Sequence, residues 1–115
     1  MNEKIEALKT ASKYIINLKN GINTATDNFK NDKHEQGIEL IPLIADGINW
    51  VVQVLELTKD IHKEQISIEE LNSKLKELLE AIEVGDYLMV GNILQYEIFP
   101  SIEEMERIID EFLLN

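Results

Sequence analysis

The chain has 115 residues, 44 % hydrophobic and 29 % charged, with two Pro, five Gly and no Cys; this is one small domain, residues 1–115, able to bury roughly two thirds of its unfolded surface. The lack of Cys excludes a disulfide framework, a thiolate metal site and a Cys nucleophile, and points to a reducing, cytoplasmic setting. A formal net charge of −11 argues against nucleic acid as a partner, because phosphate backbones are held by clustered Lys and Arg.

Met1-Asn2-Glu3-Lys4 leads into a mixed-charge periodic stretch, unlike the basic start and apolar run of a signal peptide, so no export signal is expected. From Ile5 to Phe29 the rows Leu8-Ile15-Ile22-Phe29 and Ala11-Leu18-Ala25 alternate by three and four residues, which predicts a long amphipathic helix. The polar run Asn28 to Lys33 ends it and places a turn near residues 30–34.

The segment Glu35 to Lys63 is apolar over most of its girth, with Ile41, Ile44, Ile48, Val51 and Leu55 flanked by Leu40, Leu43, Trp50, Val52, Val54 and Leu57. That pattern predicts a central helix. Pro42 either sits inside it as a kink or begins it, with residues 35–41 as an irregular lead-in. Glu39, Asp46, Asn49, Gln53 and Glu56 are too many polar groups for a bilayer-spanning helix, so no membrane is expected.

Ser67-Ile68-Glu69-Glu70 has the Ser-x-x-Glu form of a capping box, and Leu71, Leu75, Leu78 and Ile82 follow at helical spacing. Gly85 suits the left-handed residue after a helix end, and Asp86 suits the cap of a fourth helix from about Tyr87 to Leu113, with Pro100 inside it. Its stripe is Tyr87, Val90, Leu94, Ile98, Ile102, Met105, Ile109 and Phe112.

Short links make this an all-α, up-and-down antiparallel four-helix bundle with a short third helix. At 1.5 Å per residue, helices one, two and four reach roughly 40 Å and helix three about 25 Å, which leaves an overhang of roughly 15 Å. Two apolar ledges are therefore expected, one at Phe29, Ile38 and Ile41, the other at Ile108, Phe112, Leu113 and Leu114. They would meet another polypeptide or a second copy in a homodimer. A fold-back at Pro42 or Pro100 is the alternative.

Residues 1–63 hold eight Lys against nine acids, whereas residues 64–115 hold three basic residues against 13 acids. Nearly all the excess negative charge thus lies in the second half. Glu103, Glu104, Glu106 and Glu111 form a candidate acidic surface toward a basic partner; otherwise such a face serves solubility.

Both prolines sit in a near-repeat, Ile38-Glu39-Leu40-Ile41-Pro42-Leu43-Ile44 and Tyr96-Glu97-Ile98-Phe99-Pro100-Ser101-Ile102. The flanking residues do not match at that offset, so a shared packing device is the simpler reading than duplication. Gly21, Gly47 and Gly91, each inside a helical pattern, cost about 1 kcal/mol relative to Ala. Close approach of a neighbouring helix, Trp50 or a Tyr ring would offset that cost. His34 and His62 fall near helix ends and read as surface residues; with no Glu-x-x-His, neither metal nor cofactor is expected. Glu77-x-x-Glu80, Glu83-x-x-Asp86 and Glu103-x-x-Glu106 lack the separation used by Mg²⁺-dependent all-α nucleotide pyrophosphohydrolases. No phosphate loop or nucleophile-base pair stands out, so no enzyme is expected.

The run Gly85-Asp86-Tyr87-Leu88-Met89-Val90-Gly91-Asn92-Ile93-Leu94-Gln95-Tyr96-Glu97-Ile98-Phe99-Pro100 resembles the Asp-Tyr…Asp-Ile-Leu-x-Tyr-Glu-Leu-x-Pro signature of an uncharacterised family of small helical proteins of Gram-positive bacteria. Gly37 to Trp50, with its Pro42 and Asp46-Gly47-Ile48-x-Trp50, is similar to that family as well. Asn92 stands where the signature has Asp. The resemblance implies a helical fold and carries no activity, and Ile, Asn, Lys and Glu usage with one Arg fits a bacterial source.

The leading expectation is a non-catalytic interaction module, chaperone-like toward a helical or basic polypeptide. The alternatives are an immunity or antitoxin-like protein that binds a basic toxin, and a metal-dependent helical nucleotide hydrolase.

Overall fold

The interleaved apolar rows of the first segment form one helix, α1 (Asn2–Lys30), in a computed structural model that describes residues 2–114. Leu8, Ala11, Ile15, Leu18, Ile22, Ala25 and Phe29 are all buried, as the periodicity requires. The helix ends where Asp32 takes a positive φ of 61° and the Lys33 N–H donates to the Asn28 carbonyl at 2.8 Å.

Helix α2 (His34–Leu57) begins well before Pro42, so the proline lies inside the helix and residues 35–41 are helical. Pro42 is exposed. The helix ends six residues earlier than the polar stripe suggests. Thr58 is buried, and its hydroxyl donates to the Val54 carbonyl at 2.7 Å. A single turn, α3 (Lys59–His62), follows and closes on Lys63 at φ 65°.

Helix α4 (Ile68–Glu83) starts as expected, with the Ser67 hydroxyl accepting the Glu70 N–H at 3.2 Å. At its other end Gly85 sits at φ 74°, the Asp86 N–H donates to Ala81 at 2.9 Å and the Gly85 N–H to Ile82 at 3.1 Å. This pair of bonds is the Schellman closure, and Gly is the residue it accepts without strain.

The Asp86 carboxylate caps α5 (Tyr87–Ile93) by accepting the Met89 N–H at 3.2 Å. A π turn, Leu94–Ile98, joins α5 to α6 (Phe99–Leu114) without a break, so the fourth helix is one run that contains an extra residue. Within it the Phe99 N–H donates to Leu94, five residues back. The stripe explains the turn. Val90, Leu94, Ile98 and Ile102 are all buried in three successive steps of four, over which a straight α-helix drifts by about 120°. The π turn absorbs that drift just before Pro100, whose missing N–H would in any case interrupt the ladder.

The described residues form an all-α bundle measuring 45 × 24 × 18 Å, with no strand. Helix α1 packs between α2 on one side and the α5–α6 run on the other, while α4 lies against α5 and the π turn. Directions alternate up and down. Tyr14 meets Trp50 across α1 and α2, whereas Ser12 reaches Asp110, Lys19 reaches Glu106 and Lys30 reaches Gln95 across α1 and the final run.

The apolar ledges are corrected by this packing. Phe29, Ile41 and Ile108 are buried core residues, and Ile38, Phe112 and Leu113 are partly buried against that core; Leu114 is exposed. At the first hairpin nothing protrudes, because α5 begins level with it: the Tyr87 ring lies 6.0 Å from that of Phe29. At the opposite end the link from Thr58 to Ser67 runs beside α6. His62 and Glu64 border one hollow with Ile108, Glu111 and Phe112.

By length and composition α2 could cross a membrane, with a mean hydropathy of 1.5 over 18 residues. In the bundle it buries Ile41, Ile44, Ile48, Val51, Val54 and Leu55.

Candidate functional site

Two concave regions flank α4. The first lies where α4 ends and α5 begins, a groove of about 360 Å³ lined by Glu77, Glu80, Ala81, Val84, Asp86, Met89 and Ile93. Its floor is Ala81 and Ile93, both buried; its lip is Val84, 78 % exposed, and Met89, 48 % exposed. Leu88 beside it is also exposed. Local geometry sets this up. The Gly85 closure and the Asp86 cap turn the chain within three residues, so Val84 and Met89 border one groove outside the core stripes. The rim carries three carboxylates and no cation.

The second is a cleft of about 300 Å³ between the start of α4 and the start of α6, lined mainly by Ile66, Leu71, Met105, Pro100, Lys74 and Ser101. Lys74 donates to the Ser101 hydroxyl at 3.0 Å, and that hydroxyl donates to the Glu97 carbonyl at 3.1 Å. Lys74 also lies 3.7 Å from Glu70. The Ser101 proton is thus turned back onto its own helix, the usual habit of a helical Ser. The pair ties α4 to α6 beside the π turn.

The predicted acidic surface is organised around cations of the chain itself. Glu106 is half-buried and pairs with Lys19 at 2.7 Å. Arg107 binds Glu64 at 2.9 Å, Glu111 at 2.8 Å and Glu104 through both carboxylate oxygens. Hydrogen bonding from Arg107 holds the Glu104 carboxyl below its ordinary value, and hydrogen bonding to Glu104 and then Glu64 raises the guanidinium above its own. Asp60 is held low in the same way by Lys4. Glu103 is exposed on the outer face of α6. The four predicted acids therefore do not converge on one open face.

The histidines depart from their surface assignment. His62 is buried at 9 % exposure; its Nδ1 accepts the Glu64 N–H at 3.1 Å, which leaves Nε2–H to donate to the Leu55 carbonyl at 2.9 Å. It is the polar pin of the α2–α3 corner. His34 is half-buried, its ring 4.1 Å from that of Tyr87 and 6.3 Å from that of Phe29, in a three-ring stack. Its Nε2 lies 3.6 Å from Asp32, and its Nδ1 is buried with no hydrogen-bond partner among the described residues.

The remaining predicted residues are dispersed. Trp50 is 37 % exposed and packs edge-on against Tyr14 at 5.4 Å. Tyr96 is exposed under the Lys30 ammonium, 5.6 Å from the ring centroid. Asp86 and Tyr87 are structural as placed, one a cap and one in the stack. Gly47 has the expected close neighbour, since a Cβ there would overlap the Tyr14 hydroxyl. Gly91 lies at ordinary contact from Lys30, 3.4 Å, and Gly21 has nothing within 4 Å, so it lacks the close approach expected of it.

Val84 and Met89 were not singled out from the sequence. A signal was present: Leu88 and Met89 follow Tyr87 but lie off the stripe that continues at Val90, which places apolar side chains on the outward side. Among the described residues, no group of three or more His, Asp or Glu is arranged to hold a metal ion.

A family model described as Domain of unknown function (DUF8042) matches residues 6–108, nine-tenths of the chain. No curated protein and no solved structure matches it.

Proposed function

The chain belongs to the DUF8042 family, and we propose that it works as a non-catalytic protein-interaction module that holds another polypeptide, basic or amphipathic in character, in the cytoplasm. One observation carries this reading. At the α4–α5 corner, exposed Val84, Leu88 and Met89 stand beside Glu77, Glu80, Glu83 and Asp86, so apolar area and unbalanced negative charge coincide. A small protein gains nothing in stability from that combination, whereas a partner would bury the one and neutralise the other. The role is chaperone-like: a partner's amphipathic surface is shielded while it is held.

The test is affinity capture of the tagged chain from lysate of its own cells, at low and high salt, with mass spectrometry of what remains bound. A single stoichiometric partner released by salt is the expected result. A partner whose own activity is extinguished on binding would make the module an immunity protein. The absence of any stoichiometric partner overturns the reading.

A further inference from the structure

The second half of α4 concentrates negative charge. Glu77, Glu80 and Glu83 follow at three-residue spacing, which makes their carboxylates neighbours on the helix surface. Glu80 and Glu83 also lie at the negative end of the helix dipole, where cations are preferred, and the last turn contains no basic residue. Among the described residues the ion pairing of α4 is confined to Lys74 and Glu70, at its other end. The Schellman closure at Gly85 then sets this acidic strip directly against the apolar groove of Ala81, Val84, Met89 and Ile93.

We propose that this groove is the docking site of a basic amphipathic helix belonging to another polypeptide. One apolar side chain of that helix seats among Ala81, Val84, Met89 and Ile93, and its Lys or Arg residues one and two turns away pair with Glu77, Glu80 and Glu83. The fit follows from dimensions and charge. From Glu77 to Val84 α4 advances about 10 Å, close to two turns of a partner helix. Each carboxylate gains a cation in the complex, so the partner adds charge complementarity to the apolar contact. The occupant is a different chain, because a second copy placed groove to groove would set Glu77, Glu80 and Asp86 against the same carboxylates. The inference rests on the interaction-module reading and assigns it a site and a partner chemistry.

The probe is a fluorescein-labelled amphipathic peptide of Leu, Ala and Lys, titrated into the full chain with anisotropy as the readout. Glu77→Gln/Glu80→Gln and, separately, Met89→Gln should each weaken binding by about tenfold or more. The matched control Glu35→Gln/Glu39→Gln removes the same charge from exposed positions of α2 and should leave affinity unchanged. Backbone amide shifts on binding should concentrate in residues 77–93. All the altered side chains are exposed, and helical circular dichroism confirms that each variant is folded.

A control pair that weakens binding as much as the groove pair reduces the effect to general charge attraction and overturns the proposal. So do shifts centred elsewhere, no binding by the peptide, or self-association of the chain through this groove in sedimentation. The two readings fail separately. A stoichiometric lysate partner that the peptide does not displace refutes the groove and leaves the module standing; the absence of any lysate partner refutes the module itself.

Discussion

Replacing Gly37 by Ala asks whether the ring stack at the first hairpin is held rigidly. A Cβ at residue 37 would lie 2.6, 2.8 and 2.9 Å from three carbons of the Phe29 ring. Carbon atoms settle at about 3.5–4.0 Å, so the ring must retreat by roughly 1 Å. It has little room to do so. Phe29 is 2 % exposed and sits nearly parallel to Tyr87 at 6.0 Å and to His34 at 6.3 Å, so its movement displaces both. Overpacking of this kind costs about 1–3 kcal/mol, against which Ala in place of Gly in a helix returns about 1 kcal/mol at most. The net is a loss of up to about 2 kcal/mol by the same two terms.

Gly21→Ala is the internal standard. With nothing within 4 Å of the new methyl group, the same chemical change should stabilise by up to about 1 kcal/mol through helix propensity and a less flexible unfolded chain. Urea unfolding followed by helical circular dichroism measures both. For a chain of this size each kcal/mol moves Tm by roughly 4 °C, so opposite signs are easily separated. If Gly37→Ala stabilises as much as Gly21→Ala, with an unchanged denaturant slope, the stack yields and the reasoning fails.

His62→Ala removes the acceptor of the Glu64 N–H and the closer donor to the Leu55 carbonyl, leaving the N–H unpaired and the carbonyl with only the Thr58 hydroxyl at 3.4 Å; a loss of about 1–3 kcal/mol in urea is expected, and a loss below 0.5 kcal/mol, roughly the level of an ordinary surface change, would show that water replaces the ring. Because Arg107 holds Glu104 below its ordinary value, the stability from that pair is present above the unfolded carboxylate range and lost as pH falls through the depressed folded value. Carbon-detected titration of Glu104 should therefore show its midpoint rise in Arg107→Gln, and an unmoved midpoint would refute the assignment. Deleting Gln95 from the π turn removes the extra residue and should leave α6 in register and the bundle folded, whereas deleting Glu103 rotates all that follows by about 100° and should abolish cooperative unfolding; equal effects would mean that the π turn does not set register.

The fold was legible where the physics is local. Helix identity follows from the three-four spacing of apolar residues, the α4 start from the Ser67 hydroxyl, and the α4–α5 break from a Gly at positive φ followed by an Asp cap. Short links then leave antiparallel neighbours as the simplest topology. These signals lie within a few residues of one another, so no knowledge of distant chain segments is needed.

What required tertiary structure was everything that depends on which distant residue sits opposite. The ledges are largely covered because α5 begins beside Phe29 and the link through His62 lies against α6, and no sequence window contains both members of either contact. The pairing within the acidic surface was hidden for the same reason: Lys19 meets Glu106 from 87 residues away, and Arg107 gathers Glu64 from 43 away. Conversely, Val84 and Met89 border a groove only because Ala81 and Ile93 close beneath them. Periodicity determines which face of a helix is apolar; the packing of the whole chain decides how much of that face is left for a partner.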